Sequence, residues 1–514
     1  MKTIITSTRI PADQANGSYN ILLPGSFGQP KGFLVYAMPY SVQPNNFDST
    51  TTFPCISVGF GGSNTAGTGL TNACAWVSNE DGASTTNTRA SFGNTVSAFS
   101  RNINNTVWRQ WQMTGFGPNI IFGQYSSSGT QAEPMDLVFT VFGGDDFFCA
   151  VGQTAIVAAI NTRTDVATPF QPDAILYSHI RPAQTTDGQM TFGAARRSVF
   201  SSAGNTVADS LQVSGNWRNE NGQNTSIVSN RYSTTGSFNI ATNAVVKFAF
   251  MYDSGFAVTQ STANSGNSII FLAMKAGISN ATQYRFDYLT TNSASTGSTQ
   301  KSFNNTYGFI HALGWFSNTS NPNATATTSA TGADMFSFFT ANGDTKSNTV
   351  GIGTFTSSTS STTITGVGTS FLGQLGAIDN IYNENYQLVG IVSSITSNTS
   401  LLLQSNAAIT ATGSSFIFEK PKQFSMSYGL QDADPNGNAN MRGYFADDAL
   451  IAFTAATPTL VSRGHIRNFN GNNSPSVYTG GIDANFIIGP GVGFCGWMFV
   501  IRGEELFNGK SRIF

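Results

Sequence analysis

The sequence predicts an all-β chain of tandem β-sandwich modules, jelly-roll or lectin-like in type, with a small inserted β-domain. Three observations carry this expectation: a low charge content with abundant Phe and Gly, a series of short apolar segments ended by turn formers, and internal repetition. Only 10% of the 514 residues are charged, against roughly 25% in ordinary globular domains. The chain has 53 Gly, and its aromatics are 41 Phe beside 15 Tyr and 6 Trp. A disordered chain of low charge would lack the Phe needed to fill cores. A charge-laced helical protein is excluded, and the length suffices for several domains.

The predicted strands follow in order. Phe33 to Ala37, Ile56 to Phe60, Leu137 to Phe142 and Ile175 to Tyr177 are short, rich in β-branched or aromatic side chains, and closed by Gly, Asn, Ser or Thr. Val245 to Met251, Ile269 to Met274, Phe309 to Leu313 and Phe486 to Ile488 have the same character. That composition and length are those of strands. The many Ser, Thr and Asn would compete for backbone hydrogen bonds inside helices but serve turns and loops well.

Repetition organises these strands. Phe27-Gly28-Gln29-Pro30-Lys31-Gly32-Phe33 returns as Phe170-Gln171-Pro172-Asp173-Ala174-Ile175, and more loosely as Tyr307-Gly308-Phe309-Ile310-His311. A second strand ending in glycine follows in each copy: Ser57 to Gly61, Met190 to Gly193, and Ser425 to Gly429. Each copy closes on a Gly-Phe or Asn-Phe element and an apolar strand, so the copies run 27–143, 170–277 and 307–503. The third is longer by about the stretch 348–419, whose Ser/Thr-rich texture reads as a β-module placed in a surface loop, where insertion costs little. The expected modules are 1–144, 145–277, a discontinuous third of 278–347 plus 420–514, and the insert 348–419.

These modules resemble a repeated β-sandwich domain of bacteriophage virion proteins, in which a GFQPKA-type opening enters an apolar strand and a GF segment precedes the last one. The insert resembles small β-modules of phage tail and fibre proteins through Thr363-Ile364-Thr365-Gly366-Val367-Gly368-Thr369-Ser370-Phe371 and through Ile391 to Leu401, with its SITS core. Asp173 stands where the opening often carries Lys, and the third copy lacks the Gln-Pro pair. The resemblance implies a non-enzymatic structural component of a virion, tail- or fibre-associated. Such a component would assemble through sheet faces and loops with other virion proteins and as a homo-oligomer, and would contact the host surface. A capsid decoration or head fibre protein, and a carbohydrate-binding receptor-recognition protein, are the alternatives. Neutral sheets rich in Thr, Ser and Asn suit a particle exterior and require no cofactor.

Charge and motifs narrow the chemistry. A net charge of -2 with scattered Arg residues leaves no basic stripe for nucleic acid. Cys55, Cys74, Cys149 and Cys495 form no CxxC pair. The apolar runs reach eight residues, as in Phe494 to Ile501, whereas a membrane helix needs about 20. The opening MKTIITSTRIPADQANG lacks the apolar core of a signal peptide, so export by the general secretion route is not expected.

Candidate sites are few. His179 and His311 follow corresponding opening strands, which fits strand-end packing better than catalysis, and no GxSxG elbow is present. The pairs Asp145-Asp146 and Asp447-Asp448 would point to opposite faces of a strand and make poor glycosidase dyads unless they lie in loops. Trp108, Trp111 and Trp217 are the candidate contacts for a host surface glycan. Asp432, Asp434 and Asn436 alternate oxygen ligands ahead of Gly437 like the start of a calcium loop, but position twelve is Gly443 rather than Glu. An Asx-rich turn is the competing reading, and calcium is the one cofactor the sequence raises.

Overall fold

The computed structural model describes residues 1–39, 55–79, 88–101, 108–129, 133–157, 159–180, 187–197, 207–220, 223–233, 237–240, 244–260, 268–276, 284–290, 297–302, 311–317, 325–329, 334–375, 379–433, 439–446, 450–453, 461–468, 481–487 and 495–501. Among them the chain is all-β, with a single four-residue helix, Phe371–Gln374. Six sheets run along it as three pairs, each pair a large sheet and a smaller one.

The three large sheets share one strand order. In the first, Lys2–Ile10 pairs with Met135–Gly143, which pairs with the opening strand Pro30–Pro39, followed by Cys55–Ser63, Leu70–Asn79 and Thr88–Gly93. The second repeats this with Phe147–Ala155, Ser268–Ala276, Ala174–Ile180, Asp187–Arg197, Val207–Glu220 and Gln223–Ser233. The third runs Tyr284–Thr290, Cys495–Ile501, His311–Ser317, Asp334–Ser357, Ala411–Ala433 and Ala439–Ala446. The strand beside the third opening is therefore Asp334–Ser357. The segment Ser425 to Gly429 lies one strand further out, where Leu70–Asn79 and Val207–Glu220 lie in the first two sheets, and is not the counterpart of Ser57 to Gly61. Small side chains before a glycine suit either position, so texture alone could not separate them. One segment crosses between sandwiches: Thr325–Ser329, early in the third, extends the second large sheet by pairing with Gln223–Ser233.

Burial explains why the central strands are so apolar. Pro30–Pro39 and Met135–Gly143 are buried along almost their whole lengths. Phe33, Val35 and Ala37 face the core of the first sandwich with Trp111, Ile121 and Tyr125. Leu34, Tyr36 and Met38 face the other way, into a cluster with Leu176, Met190 and Phe192 of the second sandwich and Leu313, Phe338 and Met426 of the third. A strand buried on both faces reads as a continuous apolar run rather than an alternating one. At the centre, Tyr36 stacks on Phe338 with ring centroids 4.9 Å apart, and Phe192 meets both edge-on. The Thr140 and Thr340 hydroxyls also join the first and third sheets at 2.8 Å.

The insert is a closed six-stranded barrel. Asp334–Ser357 and Ala411–Ala433 leave the third large sheet as a two-stranded ribbon and continue into the barrel wall. Between them the ring is completed by Thr363–Val367, Ser400–Leu403, Leu388–Ser397 and Asn380–Asn383. Phe355, Ile364, Phe371, Val392, Leu401 and Phe416 fill the interior. Gly353 lets one arm bend into the barrel: its φ is +82°, and a Cβ there would lie 2.5 Å from the Gly368 backbone. The short helix lies against Gly297–Ser302 and Gly481–Ile487, two strands of the third small sheet.

Candidate ligand cleft

The tryptophans separate by strand parity. Along Trp108–Gly117, Arg109, Trp111 and Met113 are buried, while Trp108, Gln110 and Gln112 are half-buried on the other face. Trp111 is therefore corrected from a glycan contact to a core residue. It is fully buried, its Nε1 donates to the Tyr19 carbonyl at 2.8 Å, and its ring meets Phe33 and Phe139 edge-on. Gly123 makes room for it, since a Cβ there would lie 2.3 Å from the indole. Trp108 stands across from Ser128, Gln110 from Ser126 and Gln112 from Gln124, and Gln110 Nε2 donates to Ser126 Oγ at 2.9 Å. The outer face of the first small sheet thus carries an indole beside a ladder of amides and hydroxyls. Trp217 lies on Val207–Glu220, in a different sheet, and its side chain lies outside the described residues.

The calcium candidate falls at the end of a hairpin. Asp432 is on Ala411–Ala433, opposite Asn440, and Asp434 and Asn436 lie outside the described residues. Among the described residues no cluster of three His, Cys, Asp or Glu side chains forms a metal site. Asp145 and Asp146 are exposed in the turn linking the first two modules. His179 is buried within a strand, between Thr191 and Ile269. His311 begins the third opening strand, and Asp447 and Asp448 lie outside the described residues.

A cleft of about 660 Å³ opens between the first two modules, lined by Lys31, Phe148 and Lys275 with Phe116, Phe170 and Leu70 among their neighbours. Its position follows from the repeat. Lys31 starts the first opening strand, and Phe148 and Lys275 face each other across adjacent strands of the second sheet. The Lys31 ammonium donates to the Asp145 carbonyl at 2.8 Å and sits 5.2 Å from the centroid of Phe148. Phe148 remains half exposed and Leu70 is exposed as well. Gln29 and Ser63 add an amide and a hydroxyl to the wall.

The floor is a tight seam. Cys149 Sγ donates to the Lys31 carbonyl at 2.9 Å. Gly32 and Gly62, opposite each other in the first sheet, receive that sulfur, and a Cβ on Gly32 would lie 2.5 Å from it. Burial pushes the thiol up to about 12, which makes it an inert packing group rather than a nucleophile. Cys55 and Cys74 are also buried thiols outside any disulfide.

Asp173, Asp136 and Arg109 are further charged side chains in the interior. Asp173, fully buried, accepts from Arg197 Nη2 at 2.5 Å. At one end of the first sandwich Arg9 lies 3.8 Å from buried Asp136, and Arg109 donates to the Glu133 carbonyl. Burial lowers the Arg109 guanidinium from its ordinary value, with Tyr125 and Glu133 opposing the shift. These groups tie strands together.

No family model matches the chain, and no curated protein matches it. Among solved structures it aligns with the outer membrane protein opdK from Pseudomonas aeruginosa at 9% identity, covering 93% of this chain and 98% of that one, with a TM-score of 0.11. OccAB4 from Acinetobacter baumannii aligns at 8% identity, covering 93% and 99%, with a TM-score of 0.09. Scores this low carry no weight for fold or function. Among the described residues no helix is long and apolar enough to cross a membrane, which says nothing of strand-built barrels.

Proposed function

We propose that this chain is a structural component of a bacteriophage virion, tail- or fibre-associated, that assembles through its sheet faces and loops. The observation that carries the reading is the insert. The two segments that resemble phage tail and fibre modules, 363–371 and 391–401, come together in one closed barrel with its own apolar core. That barrel is held on a ribbon continuous with the third sandwich. Three sandwiches joined through a common apolar centre also suit a part that must persist outside a cell. Cryo-electron microscopy of intact particles, with this chain traced into density, tests the proposal. The expected result is density at the tail periphery. Placement on the head lattice would replace the tail reading with capsid decoration, and absence from the particle would overturn both.

Carbohydrate recognition is the second reading, favoured by the Trp108 face with its Gln110, Gln112 and Gln124 amides. Aromatic rings edged by hydrogen-bonding side chains are suited to the two surfaces of a sugar.

A further inference from the structure

We infer that the cleft between the first two modules binds an acidic saccharide, a chain containing uronate-type carboxylated sugars. The inference extends the carbohydrate reading but uses none of the residues of the Trp108 face, so the two stand or fall separately.

The cleft brings together groups from two modules. In a chain with only 25 Lys and Arg residues, Lys31 and Lys275 come from different modules and border one aromatic ring, Phe148. Among the described residues no carboxylate forms an ion pair with either lysine. Lys31 uses one donor on the Asp145 carbonyl, and an ammonium has three. A carboxylate entering here therefore finds charge-assisted donors, which are shorter and stronger than neutral ones.

The remaining lining decides the class of anion. Phe148 is 49% exposed beside Phe116, giving apolar faces that match the C–H surface of a pyranose ring. Gln29 and Ser63 offer partners for hydroxyls. A cavity of about 660 Å³ falls within the range of roughly 300–1,000 Å³ usual for small-ligand clefts. Bare phosphate would leave the rings uncovered. An extended acidic peptide would need a free strand edge for its backbone, whereas the outer edge of Phe147–Ala155 lies against the first module, with Val151 bridged to Asn64 and Cys149 Sγ on the Lys31 carbonyl.

The test is isothermal titration of the full-length protein with a trigalacturonate and with a neutral trisaccharide of the same length. Saturable binding of the uronate, at least tenfold tighter than the neutral sugar and weakened by added salt, is expected. Lys275→Glu should lower uronate affinity at least tenfold and Phe148→Ala should also weaken it, with thermal midpoints unchanged. Trp108→Ala should leave uronate binding intact. Equal binding of the two sugars, equal binding of a short poly-glutamate peptide, no saturable binding, or an unchanged affinity in Lys275→Glu would each overturn the inference. Loss of uronate binding in Trp108→Ala with Lys275→Glu unaffected would move it to the outer face of the small sheet.

Discussion

Lys31 and Asp173 occupy the same step of the repeat, two residues before Phe33 and Ile175 in the openings of the first and second modules. The first is partly exposed and reaches across to the next module's turn and phenyl ring. The second is fully buried and bound to Arg197, on the neighbouring strand of its own sheet. The counterpart of Arg197 in the first module is Ser63, which lines the cleft. One pair of substitutions therefore closes the second module onto itself and leaves the first with a cation at a seam. An interior charge needs a partner because desolvation is otherwise uncompensated, while a charge at an open seam remains available for a ligand.

The sharpest way to break this comparison is to remove the charges one at a time. Asp173→Asn removes the buried carboxylate that is bonded to the Arg197 guanidinium, whose side chain is only 13% exposed. Losing one partner of a buried pair typically costs several kcal/mol, and about 3 kcal/mol is expected here. Lys31→Gln removes one exposed hydrogen bond and one ring contact, for which about 0.5–1 kcal/mol is expected. Urea denaturation of both variants checks the contrast. Equal losses would mean that the repeat position, not its surroundings, sets the energy.

The seam between the modules makes a second prediction, in alkaline solution. The Cys149 thiol ordinarily ionises near 9.0 but is held protonated up to about 12 in the folded chain. Between those values the unfolded chain binds fewer protons at this site than the folded one. The contribution is thus complete below the unfolded value and is lost as pH rises, at about 1.4 kcal/mol per pH unit. Stability measured from pH 9 to 12 should fall, and Cys149→Ala should remove about one proton from the slope. A slope that does not change in the variant would mean that Cys149 is not sealed in the seam.

Some of this was legible in the sequence, for physical reasons. Strands such as Leu137 to Phe142 announced themselves by composition, and Met135–Gly143 contains that segment whole. Their burial on both faces was written in the same continuous runs, which a lone sandwich with one solvated face would not need. Parity also separates Trp108 from Trp111: three positions apart on a strand, they face opposite ways, so they could not share one ligand. The cleft was not legible. Residues 31, 148 and 275 meet only through the register of two sheets and the docking of one module on another, and no local spacing encodes that. The pairing of Asp173 with Arg197 is similar, since it depends on which residue of the following strand falls alongside.

A difference of sign rather than size is expected at the shared centre, where the first two modules differ again. Tyr36 and Ser178 are equivalent in the repeat, five residues after Lys31 and Asp173. Ser178 Oγ donates to the Thr191 carbonyl at 2.9 Å, so its polar atom is satisfied within its own sheet. The Tyr36 hydroxyl is buried with no hydrogen-bond partner among the described residues, and burial raises its ionisation well above the ordinary value. Its ring is what the centre uses, stacked on Phe338 and edge-on to Phe192. Removing an unsatisfied buried hydroxyl while keeping the ring relieves a desolvation cost, so Tyr36→Phe should be neutral or stabilising by up to about 1 kcal/mol. Ser178→Ala should instead lose about 1 kcal/mol, because it leaves the Thr191 carbonyl without that donor. Denaturation midpoints of the two variants give the signs directly. A Tyr36→Phe variant less stable than the parent would show that the hydroxyl has a partner in the centre and that the three sheets are joined there by a polar contact as well as by packing.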